Sequence, residues 1–345
     1  MDITTVGIDL AKNVFQVHGV DARGKVVLRK QLKRHQLAAF MANLPPCLIG
    51  MEACGSAHHW ARTLERFGHA VRLMPPQYVK PYVKTNKNDA ADAEAICEAV
   101  GRPSMHFVPI KSVEQQSLLS LHRVRQGFVR SRTAQANQIR GLLGEFGLVV
   151  AKGIHHLPKR VPALLEQPGQ VLPVQFRALI ERLLAHLKDL DQQVRELEAQ
   201  IIAWHRSSEL SQRLEQIPGI GPLAATALVA SIADARSFRN GRQVSAWLGL
   251  VPRQNSSGGK RTLLGISKRG DVYLRTLLIH GARSAILAAQ HRGQGDSAWL
   301  RRLLERRHVN IATVAMANRN ARIAWALLAH GCEYRPDHRS GALAA

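Results

Sequence analysis

The chain has 345 residues, enough for two or three domains, and its hydrophobic content of 46% excludes global disorder. Lys and Arg outnumber Asp and Glu by 48 to 25, and the resulting net charge of +23 predicts a nucleic-acid partner, with a membrane surface as the weaker alternative. No apolar run reaches the ~20 residues that span a bilayer, and Asp2 and Asp9 interrupt any signal-peptide core. We therefore expect a cytoplasmic, nucleoid-associated protein without membrane contact.

The first part of the chain predicts a mixed α/β domain over residues 1–108. Strands are predicted at residues 3–9, 14–21 and 25–32, with a hairpin turn at Asp21–Gly24. A helix at 34–44, a strand at 47–52, a helix at 56–68, a strand at 70–74 and a helix at 89–100 follow. Three hairpin strands followed by alternating helix and strand is the order of an RNase H-like α/β domain.

The middle of the chain, residues 109–206, predicts a helical region. A helix is expected at 112–143, and a proline-containing connector at 148–174. Apolar residues then alternate three and four apart, which is a heptad seam: Ile180, Leu183, Leu187, Leu190, Val194, Leu197, Ile201 and Trp204. A long helical hairpin or an intermolecular coiled coil would explain this seam. A combination of the two is the favoured interpretation, and it predicts dimerisation.

The remainder divides into a mostly helical, Arg-rich domain at 207–330 and a loose tail at 331–345, which contains Pro336 and Gly341. The four cysteines lie far apart and form no CxxC pair. They are therefore expected to be buried thiols and not a disulfide or zinc framework.

Four acidic residues stand out in this basic chain. Asp9 and Glu52 each end an apolar run, and Asp89 and Asp92 lie three apart on one face of the helix predicted at 89–100. Taken singly, Asp89 reads as a helix cap and Asp92 as a solvated side chain. Taken together, the carboxylates would repel one another unless cations neutralise them. They predict a site for two Mg²⁺ ions placed against substrate phosphates.

A Pro-Gly-Ile-Gly turn at residues 218–221 precedes an apolar helix. Backbone N–H groups around Gly219 and Gly221 would hold a phosphate without reading sequence, as in a helix-hairpin-helix element. An ordinary tight turn between two helices is the alternative.

A polar, glycine-rich and basic segment extends over residues 249–271 and presents three hydroxyl groups, those of Ser256, Ser257 and Ser267. On composition, a loop that contacts nucleic acid is the favoured interpretation. A serine acting as a nucleophile, activated by a metal or a general base, is the alternative. Composition does not separate the two.

Several motifs in this order resemble the DEDD transposases of the insertion-sequence 110 family. They are Gly7–Lys12, Met51–Gly55, Asn88–Ala93, the Pro-Gly-Ile-Gly turn, Ser257–Gly259 and Ile266–Gly270. The resemblance covers nearly the whole chain. The Asn-Asp-Ala-Ala-Asp and Ser-Ser-Gly-Gly-Lys forms are most similar to the 1111 subgroup.

The resemblance implies a RuvC-like N-terminal domain and a C-terminal serine transposase domain. It assigns Mg²⁺ binding to Asp9, Glu52, Asp89 and Asp92. It also assigns the nucleophile to Ser257, with Ser256 as the neighbouring ambiguity, and implies a phosphoserine that a DNA 3′-hydroxyl later resolves. The carboxylates would then be half of a composite site.

The resemblance further implies donor and target DNA, a non-coding bridge RNA that pairs with both, and assembly as dimers or tetramers. On this interpretation, residues 109–206 carry the RNA contacts and the dimer contact. Basic side chains near Ser257 would hold phosphates: Arg253, Lys260, Arg261, Lys268 and Arg269.

Three rival interpretations remain open at this point. A RuvC-like nuclease that resolves branched DNA by water attack would need the carboxylates but no serine. An actin-like ATPase domain shares the strand order, with Asp9 organising Mg-ATP, but the basic charge and the lack of a second Gly-rich phosphate loop disfavour it. A scaffold that only binds RNA would leave the acidic residues without a role.

Overall fold

A computed structural model describes residues 2–84, 88–167, 172–260, 262–292 and 298–335. The chain forms two compact units, residues 1–114 and 115–345, and each contains its own hydrophobic core. Within the described ranges, no helix combines the length and the apolar character that crossing a membrane requires.

The first unit is built on a mixed sheet. Its strands are β1 (Thr5–Leu10), β2 (Val14–Val20), β3 (Val26–Lys33), β4 (Leu48–Glu52) and β5 (Ala70–Met74), in the spatial order β3-β2-β1-β4-β5. Neighbours β1, β2 and β3 are antiparallel, whereas β4 and β5 run parallel to β1. The predicted β2–β3 turn closes on Asp21, whose Oδ1 accepts hydrogen bonds from the backbone N–H groups of Arg23 and Lys25, each at 2.9 Å. The mixed α/β architecture predicted for this part of the chain is confirmed.

Helices cover both faces of this sheet. They are α1 (Arg34–Ala42), α2 (Ala57–Glu65), the short α3 (Pro76–Val79) and α4 (Asp89–Val100). Because strand side chains alternate between faces, Val6 and Ile8 of β1 join one core with α1 and α2. Gly7, between them, faces α4 on the opposite side. Asp9 is two residues from Gly7 and therefore lies on the same face of the sheet, the face that α4 covers.

The second unit begins with long helices: α5 (Val113–Glu145), α6 (His156–Leu165) and α7 (Val174–Ser207). Two ion pairs join α5 and α7. Arg125 donates from Nε to Glu198 at 2.8 Å, and Arg132 pairs with Asp191 at 2.5 Å. Because the residue numbers rise along one helix as they fall along the other, α5 and α7 run antiparallel.

Most of the heptad seam is covered within this chain. Ile180 and Leu187 pack with Ile139 and Leu143 of α5 and with α6, and Ile201 packs with Leu118. The helical hairpin therefore accounts for the seam by itself, and the intermolecular coiled coil stays a prediction.

The connector predicted at 148–174 contains α6, so that prediction was wrong for residues 156–165. Pro158 lies in the first turn of the helix, where no intrahelical N–H donor is needed, but Pro162 lies inside it. Burial of Leu157, Val161 and Leu165 against α5 and α7 offsets the hydrogen bond that Pro162 cannot make.

The rest of the second unit is mostly helical, as predicted. It contains α8 (Glu209–Glu215), α9 (Pro222–Ile232), α10 (Gly241–Trp247), α11 (Val272–Arg292), α12 (Ala298–Arg306) and α13 (Val309–His330). A short antiparallel hairpin of β6 (Pro252–Gln254) and β7 (Leu263–Ile266) interrupts the helices. This hairpin was not predicted from the sequence, because both strands are solvent-exposed and lack apolar alternation.

The cysteine prediction was half wrong. All four thiols are free, and Cys47 and Cys97 are buried, but Cys54 and Cys332 are exposed. Both exposed thiols lie in segments that follow a strand or a helix, where chain connections run over the surface. Residues 331–335 continue beyond α13 without helix. The rest of the predicted tail, with Pro336 and Gly341, lies outside the described residues.

Candidate active site

Three carboxylates converge where β1 ends. One oxygen each of Asp9, Asp89 and Asp92 lies within 4.8 Å of the others. Asp9 and Asp92 are half-buried, and Asp89 is exposed. Like charges at this separation repel, most strongly where solvent is partly excluded, so the group is suited to a bound cation.

Two glycines allow α4 to lie close to the sheet. Gly7 on β1 and Gly50 on β4 are register partners. A Cβ at Gly7 would lie 2.3 Å from the carbonyl oxygen of Ala93, and a Cβ at Gly50 would lie 2.7 Å from the Cβ of Val100. Only glycine permits this approach, which carries the first turn of α4 to the end of β1.

Asn88 caps α4. Its side-chain oxygen accepts a hydrogen bond from the backbone N–H of Ala91 at 2.8 Å. The alternative interpretation that Asp89 is the cap was therefore wrong. Asp89 and Asp92 lie in the first turn, where the helix dipole favours negative charge.

Glu52 lies on the strand next to Asp9. The parallel register pairs Ile8 with Met51, and Glu52 follows as the last residue of β4. Among the described residues, the converging group contains only the three aspartates, so the structure does not add Glu52 to it.

Cys54 was not predicted to belong to the site, but its thiol lies within the electrostatic influence of carboxylates on both strands. Loss of solvent, followed by the negative charges of Glu52 and Asp9, raises the pKa of the Cys54 thiol. The two carboxylates therefore act on one shared region beyond the strand ends. The Met51–Gly55 motif already placed this thiol beside Glu52 in the sequence, but only the fold adds Asp9.

The donor set fits a hard divalent cation. Carboxylate oxygens are the protein ligands that Mg²⁺ prefers, whereas a zinc site would draw on sulfur or imidazole. Asp9, Asp89 and Asp92 would hold such an ion.

Ser257 lies at the tip of the β6–β7 hairpin. Gly258 and Gly259 have φ of 54° and 77°, and the N–H of Lys260 donates to the carbonyl of Ser257 at 3.0 Å. Two consecutive positive φ angles are the signature of a type I′ turn, which joins antiparallel strands tightly. The Gly-Gly dipeptide was the signal in the sequence that could have predicted this hairpin.

The two adjacent serines differ in their hydrogen bonds. Ser256 Oγ accepts from the side chain of Gln254 at 2.9 Å and from the N–H of Thr262 at 3.3 Å, so it holds the hairpin together. Within the described parts of the chain, the Ser257 hydroxyl forms no hydrogen bond, and the residue is exposed. The geometry leaves the Ser257 hydroxyl available to a substrate.

The base of the hairpin is fixed by backbone contacts. A Cβ at Gly249 would lie 2.0 Å from the carbonyl oxygen of Arg269, and a Cβ at Gly270 would lie 1.9 Å from that of Trp247. The buried guanidinium of Arg275 donates from Nη1 to the carbonyl of Leu248 at 3.0 Å. These contacts were invisible in the sequence because they join segments about twenty residues apart.

Four of the five predicted phosphate-binding side chains lie on this hairpin or in the segment that follows it. Arg253, Lys260, Lys268 and Arg269 are exposed, and Arg261 lies outside the described residues. Lys268 has φ of 54°, a strained left-handed conformation for a residue with a side chain. Its N–H donates to the carbonyl of Gly249 at 3.1 Å, which helps to hold that conformation.

Comparison with known proteins adds two family matches. Residues 6–147 match a DEDD transposase family of the IS110 type, and residues 211–298 match a family described as Transposase IS116/IS110/IS902. A probable family 20 transposase of Pseudomonas aeruginosa is 54% identical over 97% of this chain and 100% of its own length. The chain belongs to the IS110 family of transposases.

Other relatives extend this assignment. The transposase for insertion sequence element IS1111A of Coxiella burnetii is 46% identical over 97% of this chain and 92% of its own. The transposase for insertion sequence element IS1328 of Yersinia enterocolitica is 43% identical over 96% and 98%. This transposase is therefore an enzyme that acts on DNA, and the family predicted from its motifs is confirmed.

The Pro-Gly-Ile-Gly turn of the transposase serves helix packing. Gly219 has φ of 90°, and a Cβ there would lie 2.7 Å from the carbonyl oxygen of Gly281 on α11. Gly221 is exposed and precedes α9. The close packing accounts for Gly219 without a ligand, and the helix-hairpin-helix interpretation stays a prediction.

Proposed function

We propose that this transposase cuts and rejoins DNA through a serine–phosphate intermediate, with Mg²⁺ at the carboxylates and a bridge RNA selecting the sequences. The observation that carries the proposal is the convergence of Asp9, Asp89 and Asp92 in a chain of net charge +23. Its first unit would be a RuvC-like domain. Glu52, beside Asp9 on the next strand, is the fourth proposed ligand and would help to hold a second ion.

Bound Mg²⁺ would neutralise charge that develops on the phosphoryl oxygens and activate the attacking and leaving oxygens. The chain itself supplies the nucleophile. The oxygen Oγ of Ser257 forms a bond to phosphorus as the bond from phosphorus to the DNA 3′ oxygen breaks. The serine proton passes to solvent, and the 3′ oxygen leaves as a hydroxyl.

Rejoining reverses these bonds. A 3′-hydroxyl of the partner strand attacks the phosphorus, the bond between Ser257 Oγ and phosphorus breaks, and the serine regains a proton. The position of Ser257 at an exposed tight turn supports this role, because a strand can reach its hydroxyl without breaking an internal hydrogen bond.

The surrounding charges would position the DNA. Arg253, Lys260, Lys268 and Arg269 are exposed around the hairpin, and Arg261 is assigned the same role from the sequence. The backbone N–H groups at Gly219 and Gly221 are a further proposed phosphate contact. Such contacts position a strand without reading its sequence, and base pairing to the bridge RNA would supply sequence choice.

Residues 109–206 are the proposed site of RNA contacts and of assembly into dimers or tetramers. The support is their length and their basic residues on α5 and α7. Because its proposed partners are DNA and RNA, the enzyme would be associated with the nucleoid.

The test is capture of the covalent intermediate. Purified protein is incubated with Mg²⁺, bridge RNA transcribed from the element and internally labelled DNA, then denatured in detergent and separated by size. The wild type is expected to give a labelled protein–DNA adduct, and Ser257→Ala none. Asp9→Asn is expected to lose both the adduct and strand cleavage.

Ser256→Ala is the matched control. Loss of two hydrogen bonds inside the hairpin is expected to lower the yield of adduct without abolishing it. An undiminished adduct in Ser257→Ala would refute the assignment of the nucleophile. Cleavage by the wild type without any adduct would instead favour the rival nuclease that uses water.

A further inference from the structure

A basic cavity lies along the C-terminal half of α13, away from the serine hairpin in the sequence. Its volume is about 670 Å³, and Arg319, Arg322 and His330 line it. Ile323 and Leu327 give it an apolar side, and Tyr334 of the segment after α13 contributes to its wall.

Helix α10, which carries a third arginine, packs against α13 beside Arg322. The backbone at Gly241 packs directly on α13, because a Cβ there would lie 2.9 Å from the Cα of Arg322. Arg242 follows on α10 and is exposed. Arg319 and Arg322, three residues apart, project from one face of α13.

Among the residues that the structure describes, these three guanidinium groups have no acidic partner. Within the described ranges, no carboxylate forms an ion pair with Arg242, Arg319 or Arg322. Glu333 lines the cavity but does not pair with them. Arg319 stacks instead over the ring of Trp299, with its guanidinium 4.7 Å from the ring centroid, which fixes one side of the cluster.

The arrangement is electrostatically unfavourable without a ligand. Loss of solvent, followed by the positive charges of Arg242 and Arg319, lowers the pKa of Arg322. Three mutually repelling cations beside a cavity are stabilised by an anion that accepts their N–H groups. Arginine forks match the oxygens of a phosphate.

We propose that this cavity binds one phosphate of a nucleic-acid strand. Arg319 and Arg322 would donate hydrogen bonds to the phosphate oxygens, and the positive charge of Arg242 would strengthen the attraction. The apolar side would take the attached sugar or base. The inference rests on the proposed function only in taking a nucleic acid as the partner. It assigns a binding site outside both the carboxylates and the serine hairpin.

The test is binding by the full chain in EDTA, where cleavage cannot contribute. Two fluorescent probes are titrated at a series of salt concentrations, a 30-base-pair DNA duplex and an RNA hairpin of similar length. Arg319→Gln and Arg322→Gln are each expected to weaken binding of at least one probe about tenfold. Each should also reduce the slope of log affinity against log salt by about 0.9 if the contact is with the DNA duplex, or by about 0.7 if it is with unpaired nucleotides of the RNA hairpin.

The double variant distinguishes a shared phosphate from two separate contacts. If both arginines hold one phosphate, Arg319→Gln with Arg322→Gln is expected to reduce the slope no more than either change alone. The probe that loses affinity identifies the strand, DNA or RNA.

Arg23→Gln is the charge-matched control. This exposed side chain lies in the β2–β3 turn, at the end of the sheet opposite Asp9, and its loss changes the net charge equally. Thermal melting checks that each variant is folded. The proposal is wrong if the cavity variants bind both probes within threefold of Arg23→Gln. That result would leave the adduct experiment, and the proposed function, unaffected.

Discussion

The three clustered aspartates repel one another, and this repulsion lowers the stability of the fold when no cation is bound. Asp9, Asp89 and Asp92 lie within 4.8 Å of one another. Neither Asp89 nor Asp92 forms an ion pair with a basic residue that the structure describes. Glu94, on the same helix as Asp89 and Asp92, is different. It pairs with Arg29 at 3.6 Å and Lys84 at 3.7 Å. On this one helix, the ion pairs of Glu94 stabilise the fold, whereas the repulsion between Asp89, Asp92 and Asp9 destabilises it.

This contrast predicts the effect of Asp92→Asn. In EDTA the variant is expected to melt about 2–4 °C above the wild type, because one repelling charge is removed. It should also lose most of the increase in melting temperature that Mg²⁺ gives the wild type. The measurement is thermal unfolding with EDTA and with MgCl₂.

Glu94→Gln serves as the control on the same helix. It is expected to keep the Mg²⁺ response and to melt at or slightly below the wild-type temperature, since exposed ion pairs contribute little. A lower melting temperature for Asp92→Asn in EDTA, with an unchanged Mg²⁺ response, would contradict the assignment of Asp92.

Among the helices and strands, the contact of α4 with the sheet determines the geometry of the carboxylates. The contact uses backbone atoms of α4 against Gly7, so it cannot adjust by rotating a side chain. A methyl group at this position would displace the helix, and with it the two aspartates of its first turn.

Gly7→Ala is therefore expected to destabilise the first unit by about 1–3 kcal/mol and to reduce Mg²⁺-dependent stabilisation. Gly101→Ala, at the C-terminal end of α4 with φ of −82°, is the matched control, because a Cβ there would meet no atom within 4 Å. Urea unfolding of both variants provides the measurement. Equal stability of the two would refute the close approach.

For the molecule as a whole, a buried histidine makes the second unit sensitive to acid. His122 of α5 forms hydrogen bonds through Nδ1 to the hydroxyl of Tyr273 at 2.9 Å and through Nε2 to that of Thr226 at 3.0 Å. It therefore joins α5 to α9 and α11. Burial, followed by the nearby positive charge of Arg125, lowers the pKa of His122 to about 4.

Because the folded pKa is below the unfolded value of about 6.5, the unfolded chain binds the proton more tightly. The stability from neutral His122 is present above pH 6.5 and is lost as pH falls toward 4. Between pH 7.5 and pH 5, the free energy of unfolding is expected to fall by about 2 kcal/mol from this residue.

The measurement is urea unfolding followed by tryptophan fluorescence, since Trp204, Trp247, Trp299 and Trp325 all lie in the second unit. His122→Gln is expected to be less stable at pH 7.5 but to lose less stability on acidification. The same acid loss in both proteins would show that another group titrates.

Much of this architecture follows from local patterns. The apolar and β-branched residues of β2 and β3, the turn at Asp21–Gly24 and the apolar run of β4 predicted strands of the sheet, because such residues favour the extended chain. The heptad spacing predicted α7, because residues three and four apart lie on one face of a helix. Parallel β1 and β4 placed Asp9 and Glu52 on neighbouring strands, as their positions after apolar runs indicated.

Other features depend on contacts between distant segments. Whether α6 forms despite Pro162, which serine is left without a hydrogen bond, and how closely α4 approaches Gly7 were not readable from local sequence. The charges and motifs of the chain identified its family and its candidate residues, because those properties belong to single residues and short runs. The distances among those residues came from the folded chain, because burial and close packing depend on neighbours that are remote in sequence.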